Sequence, residues 1–370
     1  MSIKAGLVGL PNVGKSTLFN ALTKSQVPAA NYPFCTIDPH LAITHVPDER
    51  SERLKKIYNS QEIIPASISF VDIAGLVKGA ASGEGLGNQF LSHIREVDLI
   101  IHVLRCFIDS DIIHTSADVD PLTDYQIIVA ELMLKDLESI EKRLVKIESL
   151  AKAHKSTPAE KKTLEQEKQL LTHIITAIDQ EDAKKIRQLV LDSPVPTIPL
   201  LAAKDFLIIA NISESELENN QYEQNKNYQN LVSEFGTNKV IPLSAKIEQE
   251  LTNLNEEESH EIMNMMGIKE RGLNKVIEKT YTALGLITFF TCGPKEIHAW
   301  PIKKGMTIRQ AAGEIHSDLQ RGFICAEVFN YADLIQYGST AKLKDVGKIK
   351  TEGQDYLVQD GDIVLIRFNV

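Results

Sequence analysis

The feature that most constrains this chain is an octapeptide near its start, Gly9-Leu10-Pro11-Asn12-Val13-Gly14-Lys15-Ser16. It fits the pattern G-x-x-x-x-G-K-[ST] of a phosphate-binding loop. An apolar run at residues 3–8 precedes it, and a helix-compatible run at 17–22 follows it. The motif requires this strand–loop–helix context, so we expect phosphates to bind at its backbone N–H groups and at the helix N-terminus. The sequence therefore predicts that a nucleoside triphosphate binds here.

Three side chains of the loop have chemistry that suits such a ligand. Lys15 is expected to reach the β and γ phosphates and so to take part in catalysis, and the Ser16 hydroxyl is expected to bind Mg²⁺. The side-chain carbonyl oxygen of Asn12 could also help to hold a monovalent cation, K⁺ being the candidate, beside the phosphates. The alternative for Asn12 is an ordinary polar loop residue.

A second motif, Asp72-Ile73-Ala74-Gly75, follows the apolar run 68–71. A carboxylate at a strand end suits the magnesium site, and the Gly75 backbone suits a switch that meets the γ-phosphate. Between the two motifs, Thr36 could complete the magnesium coordination when a γ-phosphate is present. The alternative for Thr36 is a plain loop residue.

The group that positions the attacking water is not evident. Leu76 stands where Ras-type enzymes have a glutamine, and an apolar side chain cannot orient water. Lys78 and His93 are the candidates for a substitute, against a solvated lysine and a histidine that packs on its own helix.

Base recognition is predicted at Asn211-Ile212-Ser213-Glu214, which follows the apolar run 206–210. Guanine-binding proteins have N-K-x-D at this point, whereas here isoleucine replaces the lysine and a longer glutamate replaces the aspartate. A site built around guanine loses heavily when its buried polar partner moves, so adenine is favoured. Ser244-Ala245-Lys246, after the apolar run 240–243, matches the loop that closes over the base.

The order of elements predicts an α/β fold, a P-loop NTPase with a doubly wound, mostly parallel sheet. We assign residues 1–120 and 200–284 to this nucleotide-binding domain. Residues 121–199 are predicted to form an inserted antiparallel, coiled-coil-like helical hairpin, because apolar residues repeat at heptad spacing and Thr157 begins a capping box. A structural arm and a partner-docking arm remain equally open. Residues 285–370 are predicted to form a small C-terminal α+β module.

Composition limits the kinds of partner that the protein is expected to bind. The net charge of −10 argues against coating nucleic acid by bulk attraction, and no DNA partner is expected. Four scattered cysteines indicate free thiols in a reducing compartment, and neither a signal-peptide pattern nor a membrane-spanning run is visible. A cytoplasmic location without a membrane partner is expected.

Taken together, the motifs resemble the YchF/Obg-like family of P-loop ATPases. The resemblance covers essentially the whole chain and depends on the following segments: Gly9–Ser16, Asn31–Ile37, Asp72–Gly79, Gly83–Asn88, Asn211–Glu214, Gly272–Val276, Thr291–Glu296 and Ala299-Trp300. It implies an ATPase that accepts GTP less well, needs magnesium and lacks the usual glutamine. It also implies a C-terminal TGS domain, which is ubiquitin-like, and binding to the ribosome or its large subunit.

The resemblance also assigns residues to the ligand. It places the phosphates on Asn12, Val13, Gly14, Lys15, Ser16 and Thr17. It places magnesium on Ser16 and Thr36, and adenine on Ile212. His298 departs from the arginine expected in this family, which puts a cationic contact of the TGS surface in doubt at neutral pH.

The sequence thus predicts a slow, magnesium-dependent ATP hydrolase that works as a conformational switch and binds the ribosome. One alternative is a nucleotide-gated ribosome-binding module whose hydrolysis is incidental. A GTPase switch is disfavoured by Ile212 and Glu214.

Overall fold

The computed structural model of the chain describes residues 3–24, 40–73, 86–109, 119–152 and 157–369. The strands in these ranges are β1 (Lys4–Val8), β2 (Leu41–His45), β3 (Glu62–Ile64), β4 (Ser67–Asp72), β5 (Leu99–Arg105), β6 (Phe206–Asn211), β7 (Val240–Leu243), β8 (Leu286–Cys292), β9 (Glu296–Lys303), β10 (Phe323–Asn330), β11 (Lys350–Glu352) and β12 (Asp362–Phe368).

The helices of the first two thirds of the described chain are α1 (Lys15–Lys24), α2 (Glu49–Tyr58), α3 (Leu86–Glu96), α4 (Pro121–Lys152), α5 (Pro158–Asp179), α6 (Ala183–Leu191), α7 (Glu214–Leu217), α8 (Lys226–Phe235) and α9 (Ala245–Leu251). A 3₁₀ segment covers Glu218–Gln224. The remaining helices are α10 (Glu256–Met265), α11 (Gly272–Ala283), α12 (Ile308–Ile315), α13 (Ser317–Arg321), α14 (Tyr331–Tyr337) and α15 (Thr340–Asp345). None of the helices in the described ranges combines the length and the apolar composition needed to cross a bilayer.

The chain divides into two compact units. The phosphate-loop unit consists of residues 4–21 and 71–272, and the C-terminal unit consists of 1–3, 22–70 and 273–370. Residues 22–70 therefore group with the C-terminal region and 121–199 with the phosphate loop. The domain boundaries drawn from the sequence, at 120, 199 and 284, remain predictions.

The phosphate-loop unit is built on a parallel sheet in which β1, β5, β6 and β7 are successive neighbours. Ala5 pairs with Leu99, and Ile100 pairs with Phe206. Every residue of β5 and β6 is buried, as expected for strands covered on both faces, and this is why their sequences are mostly apolar. The predicted α/β fold is confirmed, and the site lies at the carboxyl ends of these strands.

The insert contains the predicted pair of long helices. On α4, Met133, Ile140 and Ile147 are buried, and on α5 the buried stripe includes Leu171 and Ile174. Thr157 forms the predicted capping box with Glu160. Residues 153–156, between the two helices, lie outside the described ranges. The sequence missed the third helix, α6, because only one of its residues, Ile186, is buried.

Two buried carboxylates stabilise the insert. Glu167 of α5 accepts two hydrogen bonds from the Arg143 guanidinium of α4, at 2.8 and 2.6 Å. Asp136 of α4 accepts the backbone N–H groups of Leu201 and Ala202, both at 2.8 Å. Burial raises the pKa of Asp136 to about 6, although these two hydrogen bonds oppose the shift. Asp136 therefore fixes the point at which the chain returns from the insert to the sheet.

The C-terminal unit has its own six-stranded sheet, in the order β11-β10-β12-β8-β9-β3. Its core lies between this sheet and α12, whose N-cap residue Thr307 forms a capping box with Gln310. The α+β composition predicted for residues 285–370 is confirmed. Sequence reasoning missed β3, which adds a parallel edge strand beside β9, because it is only three residues long and is not fully buried.

An arginine links α2 to the C-terminal part of this unit. The Arg50 guanidinium donates to Asp48 at 2.7 Å and to Asp360 at 2.7 Å, and it lies 5.2 Å from the centre of the Phe290 ring. Burial opposes its charge, but the hydrogen bonds that it donates to both carboxylates, together with their negative charges, outweigh burial and raise its pKa. This network and the pairing of β3 with β9 both join residues 22–70 to the C-terminal region.

His298 is half-buried and stacked on Trp300, with ring centroids 3.6 Å apart. Burial lowers the pKa of His298 to about 4. The imidazole is therefore neutral at pH 7, so it does not supply the cationic contact that an arginine would supply.

Candidate nucleotide-binding site

The phosphate loop connects β1 to α1 in a space too narrow for side chains at its glycines. A Cβ atom on Gly14 would lie 2.2 Å from the Asn211 Nδ2 atom, and Gly14 has a φ of +93°. A Cβ atom on Gly9 would lie 2.7 Å from the carbonyl oxygen of Val103 in β5. The glycines are therefore required by close approach as well as by backbone conformation. The Leu18 N–H donates to the Gly14 carbonyl at 3.0 Å, so the helix begins within the motif.

Asn211, at the end of β6, holds the loop in place from the side. Its Nδ2 donates to the Val13 carbonyl at 2.8 Å, and its Oδ1 accepts from the Ala245 N–H at 3.0 Å. The residue is buried, with 4% of its surface exposed. One asparagine thus ties the phosphate loop to the loop after β7.

Lys15 and Asp72 meet in this structure. The Lys15 ammonium donates to Asp72 Oδ1, and Lys15 is buried. The end of β4 is held beside β1 by a hydrogen bond from the Ile73 N–H to the Leu7 carbonyl, at 3.2 Å. The structure therefore brings together the two motifs that the sequence placed in one site.

The residues that are described fit a magnesium ion. Ser16 lies at the start of α1 with its side chain exposed, next to the Lys15–Asp72 pair. Hydroxyl and carboxylate oxygens are the donors that Mg²⁺ prefers, and in nucleotide sites only one or two come from the protein. The third predicted ligand, Thr36, lies outside the described residues.

The loops predicted to hold the base lie side by side. The Ile212 N–H donates to the Leu243 carbonyl at 2.9 Å, so the two loops leave the sheet together. The Ile212 and Ser244 side chains are both buried. Glu214 forms an ion pair with Lys246, with Oε1 and Nζ 2.6 Å apart. The contact of Ile212 with a base stays a prediction.

Of the residues predicted to be catalytic, the structure describes Lys15 and His93 but not Gly75. His93 lies on α3 and is half-buried, and its Nδ1 atom is enclosed without a hydrogen-bond partner among the described residues. Gly75, Leu76 and Lys78 lie outside the described ranges. The catalytic roles of Gly75 and His93 therefore stay predictions, as do the phosphate contacts of Asn12 and Thr17.

Sequence reasoning missed one buried carboxylate behind the base loops. Glu248 on α9 accepts the Gly272 N–H at 2.6 Å through Oε1, and Arg271 Nε lies 3.6 Å from its Oε2. A Cβ atom on Gly272 would lie 2.8 Å from Glu248 Oε1, so only glycine fits there. Glu248 thus anchors α9 to the first residue of α11. The only signal in the sequence was a glycine directly before a helical run.

Comparison with known proteins decides the family. A family model described as "50S ribosome-binding GTPase" matches residues 4–203, and the model for the C-terminal part of YchF GTPases, described as a protein of unknown function (DUF933), matches residues 286–369. The ribosome-binding ATPase YchF of Bacillus subtilis is 44% identical over 372 residues, which cover 100% of both chains. The chain belongs to the YchF family.

Other YchF proteins agree along the whole length. The ribosome-binding ATPase YchF of Escherichia coli O157:H7 is 43% identical over 373 residues, again covering 100% of both chains. The solved structure of the YchF GTPase of Schizosaccharomyces pombe superimposes with a TM-score of 0.81 at 36% identity, covering 99% of this chain and 98% of that one. The family resemblance read from the motifs is therefore confirmed.

Proposed function

We propose that this member of the YchF family is a magnesium-dependent ATP hydrolase that acts as a nucleotide switch and binds the ribosome. The observation that carries the proposal is the convergence of Lys15, Asp72 and Asn211 on one phosphate loop, next to a base loop that lacks the guanine-reading lysine and aspartate. Curated relatives that match this chain over their full length are named ribosome-binding ATPases. GTP is proposed as a weaker substrate.

In this proposal, residues of this chain catalyse hydrolysis mainly by placing positive charge and hydrogen-bond donors beside the phosphates. The Lys15 ammonium neutralises the charge that develops on the γ-phosphate, and the backbone N–H groups of the loop hold the β-phosphate. Asn211 keeps the loop in that geometry before the ligand arrives, so no reorganisation is needed at the moment of reaction.

Magnesium would be held by the Ser16 hydroxyl, with Asp72 and Thr36 completing the site. When bound, the ion neutralises charge between the β and γ phosphates. The contact between the Lys15 ammonium and the Asp72 carboxylate supports this assignment, because it brings Asp72 to the phosphate-loop residue next to Ser16. K⁺ beside Asn12 is a further proposal that depends on the side-chain oxygen alone.

Turnover is expected to be slow because Leu76 cannot orient water. Gly75 and His93 are our candidates for the groups that act near the γ-phosphate.

A ribosomal partner implies that the protein works in the cytoplasm, with no part for a membrane or for DNA.

The proposal is tested by titrating the purified chain with ATP and with GTP, each with and without Mg²⁺, while phosphate release is followed. We expect higher kcat/KM for ATP, and loss of turnover when the metal is chelated. A higher kcat/KM for GTP would overturn the adenine assignment, and full activity in the chelator would overturn the magnesium assignment.

A second candidate function is a nucleotide-gated ribosome-binding module. In such a module the bound nucleotide controls attachment to the ribosome, and hydrolysis is incidental. Leu76 favours it, since the residue that would make hydrolysis efficient is missing. The two candidates differ in how turnover responds to ribosomes. Stimulation by ribosomes supports a hydrolytic switch, whereas unchanged turnover with nucleotide-dependent binding supports the module.

A further inference from the structure

The base end of the site contains an ion pair that the family motifs do not explain. Glu214 is the first residue of α7, and Lys246 is the second residue of α9. Their Oε1 and Nζ atoms are 2.6 Å apart, with 40% and 68% of the side chains exposed. The pairing with Glu214 raises the pKa of Lys246, so the ammonium is charged at neutral pH.

The backbones that carry these two side chains are fixed. Asn211 Oδ1 accepts from the Ala245 N–H, and the Ile212 N–H donates to the Leu243 carbonyl. Ser213 forms a capping box with Glu216, so α7 starts at a defined point. Because both backbones are held, one donor and one acceptor side chain start from fixed positions, at the point where guanine-binding proteins have the aspartate acceptor of N-K-x-D.

This pair matches the edge of adenine better than the edge of guanine. Adenine presents an acceptor at N1 and a donor at its N6 amino group, whereas guanine presents donors at both N1 and N2. An ammonium has donors only, and a carboxylate has acceptors only. A lysine that faces N1 therefore attracts adenine and opposes the N1–H of guanine, and the second oxygen of Glu214 remains free to accept from the N6 amino group.

We propose that Lys246, held by Glu214, contacts the base and is a determinant of the preference for adenine. The inference rests on the proposed ATP specificity and deepens it, since it names the residue that discriminates. Glu214 replaces the aspartate of N-K-x-D. We expect this replacement to change base choice indirectly, because the longer side chain of Glu214 holds Lys246 at the base. Glu214 alone would still accept from guanine.

The chain offers a matched control for the ion pair itself. Lys184 pairs with Glu234 at 2.7 Å, with 66% and 47% of the side chains exposed, which is close to the exposure of the proposed pair. Both control residues lie in the phosphate-loop unit, on α6 and α8, away from the base loops. The Lys184→Met variant therefore removes the same charge without touching the site.

The experiment measures the Kd of ADP, GDP and 1-deaza-ADP, in which C–H replaces the N1 acceptor, on the full-length chain. The diphosphates avoid hydrolysis and isolate the contribution of the base. In the Lys246→Met variant we expect the ratio of the GDP and ADP Kd values to fall by about threefold to fivefold, the size of one exposed charged contact. Binding of 1-deaza-ADP should be unchanged. Lys246→Arg should retain most of the preference, and Lys184→Met should retain all of it.

The outcomes separate this inference from the proposed function. If the unaltered chain prefers GDP, the ATP assignment fails and this inference fails with it. If the unaltered chain prefers ADP but Lys246→Met leaves the ratio unchanged, only the role of Lys246 is overturned. Equal weakening of ADP, GDP and 1-deaza-ADP would also overturn it, because it would show general attraction of the phosphates.

Discussion

Buried charged side chains in this protein have different roles, since one lies at the ligand site and another stabilises the fold. Lys15 is buried against Asp72, and the arrangement keeps an ammonium at the phosphate loop where it can meet a ligand. Asp136 is buried against two backbone N–H groups far along the chain from any motif, and it serves the fold. The sequence revealed the first residue and gave no sign of the second, because a lone aspartate on a helix is usually solvated.

The first prediction concerns Lys15. Lys15→Ala removes the charge that stabilises the developing γ-phosphate, and we expect kcat to fall by about 10²–10³-fold, as when one such donor is lost elsewhere. Steady-state phosphate release measures it. The exposed Lys161→Ala on α5 is the control, and circular dichroism should show both variants folded. Activity of Lys15→Ala within twofold of the unaltered chain would contradict the role of the loop.

The second prediction concerns pH. The folded pKa of Asp136 is raised to about 6 from 3.8, so between these values the folded carboxyl keeps a proton that the unfolded one has lost. This group therefore favours folding most below pH 4, and its contribution falls as pH rises towards 6, by about 3 kcal/mol in all. Urea unfolding between pH 4 and 7.5 should show this decline in the unaltered chain relative to Asp136→Asn. Parallel pH profiles for the two proteins would show that Asp136 does not titrate in this way.

At the scale of elements, the hydrophobic pattern was a good guide where the segments are long or buried. The apolar runs at residues 3–8, 68–71, 206–210 and 240–243 lie within one residue of β1, β4, β6 and β7. Among the elements that were missed, β2, β3 and α6 are short and bury few apolar side chains, so their formation depends on neighbours distant in the sequence.

The third prediction belongs to the helical insert. Arg143→Met leaves Glu167, which is 3% exposed, without its cation. We expect the free energy of unfolding to fall by about 3 kcal/mol, because the Glu167 carboxylate would stay buried without a cation beside it. Lys168 pairs with Glu148 at 3.1 Å between exposed side chains, so Lys168→Met should cost less than about 1 kcal/mol. Urea unfolding of both variants tests this, and equal costs would show that Glu167 is not effectively buried.

At the scale of the whole molecule, the net charge of −10 must be reconciled with binding to a polyanionic particle. Contact with the ribosome then depends on local basic faces, and such contacts weaken as salt screens them. The fourth prediction is that the full-length chain co-sediments with ribosomes at low salt and progressively less as salt increases. Absence of pelleting even at the lowest salt would count against the ribosome as partner.

The sequence by itself determined the ligand class and the fold class of this protein. Both follow from local patterns, because a phosphate loop is a contiguous segment with its own strand and helix, and buried strands are contiguous apolar runs. The motifs also identified the family, which comparison with known proteins confirmed.

Only the tertiary structure decided which side chains meet. It showed that Asn211 supports the phosphate loop, that Glu248 anchors α9 to Gly272, that residues 22–70 group with the C-terminal region, and that Glu214 holds Lys246. These contacts join residues up to 310 positions apart in the chain. No local pattern encodes such a contact, because its geometry is set by the packing of the sheet and helices between the two residues.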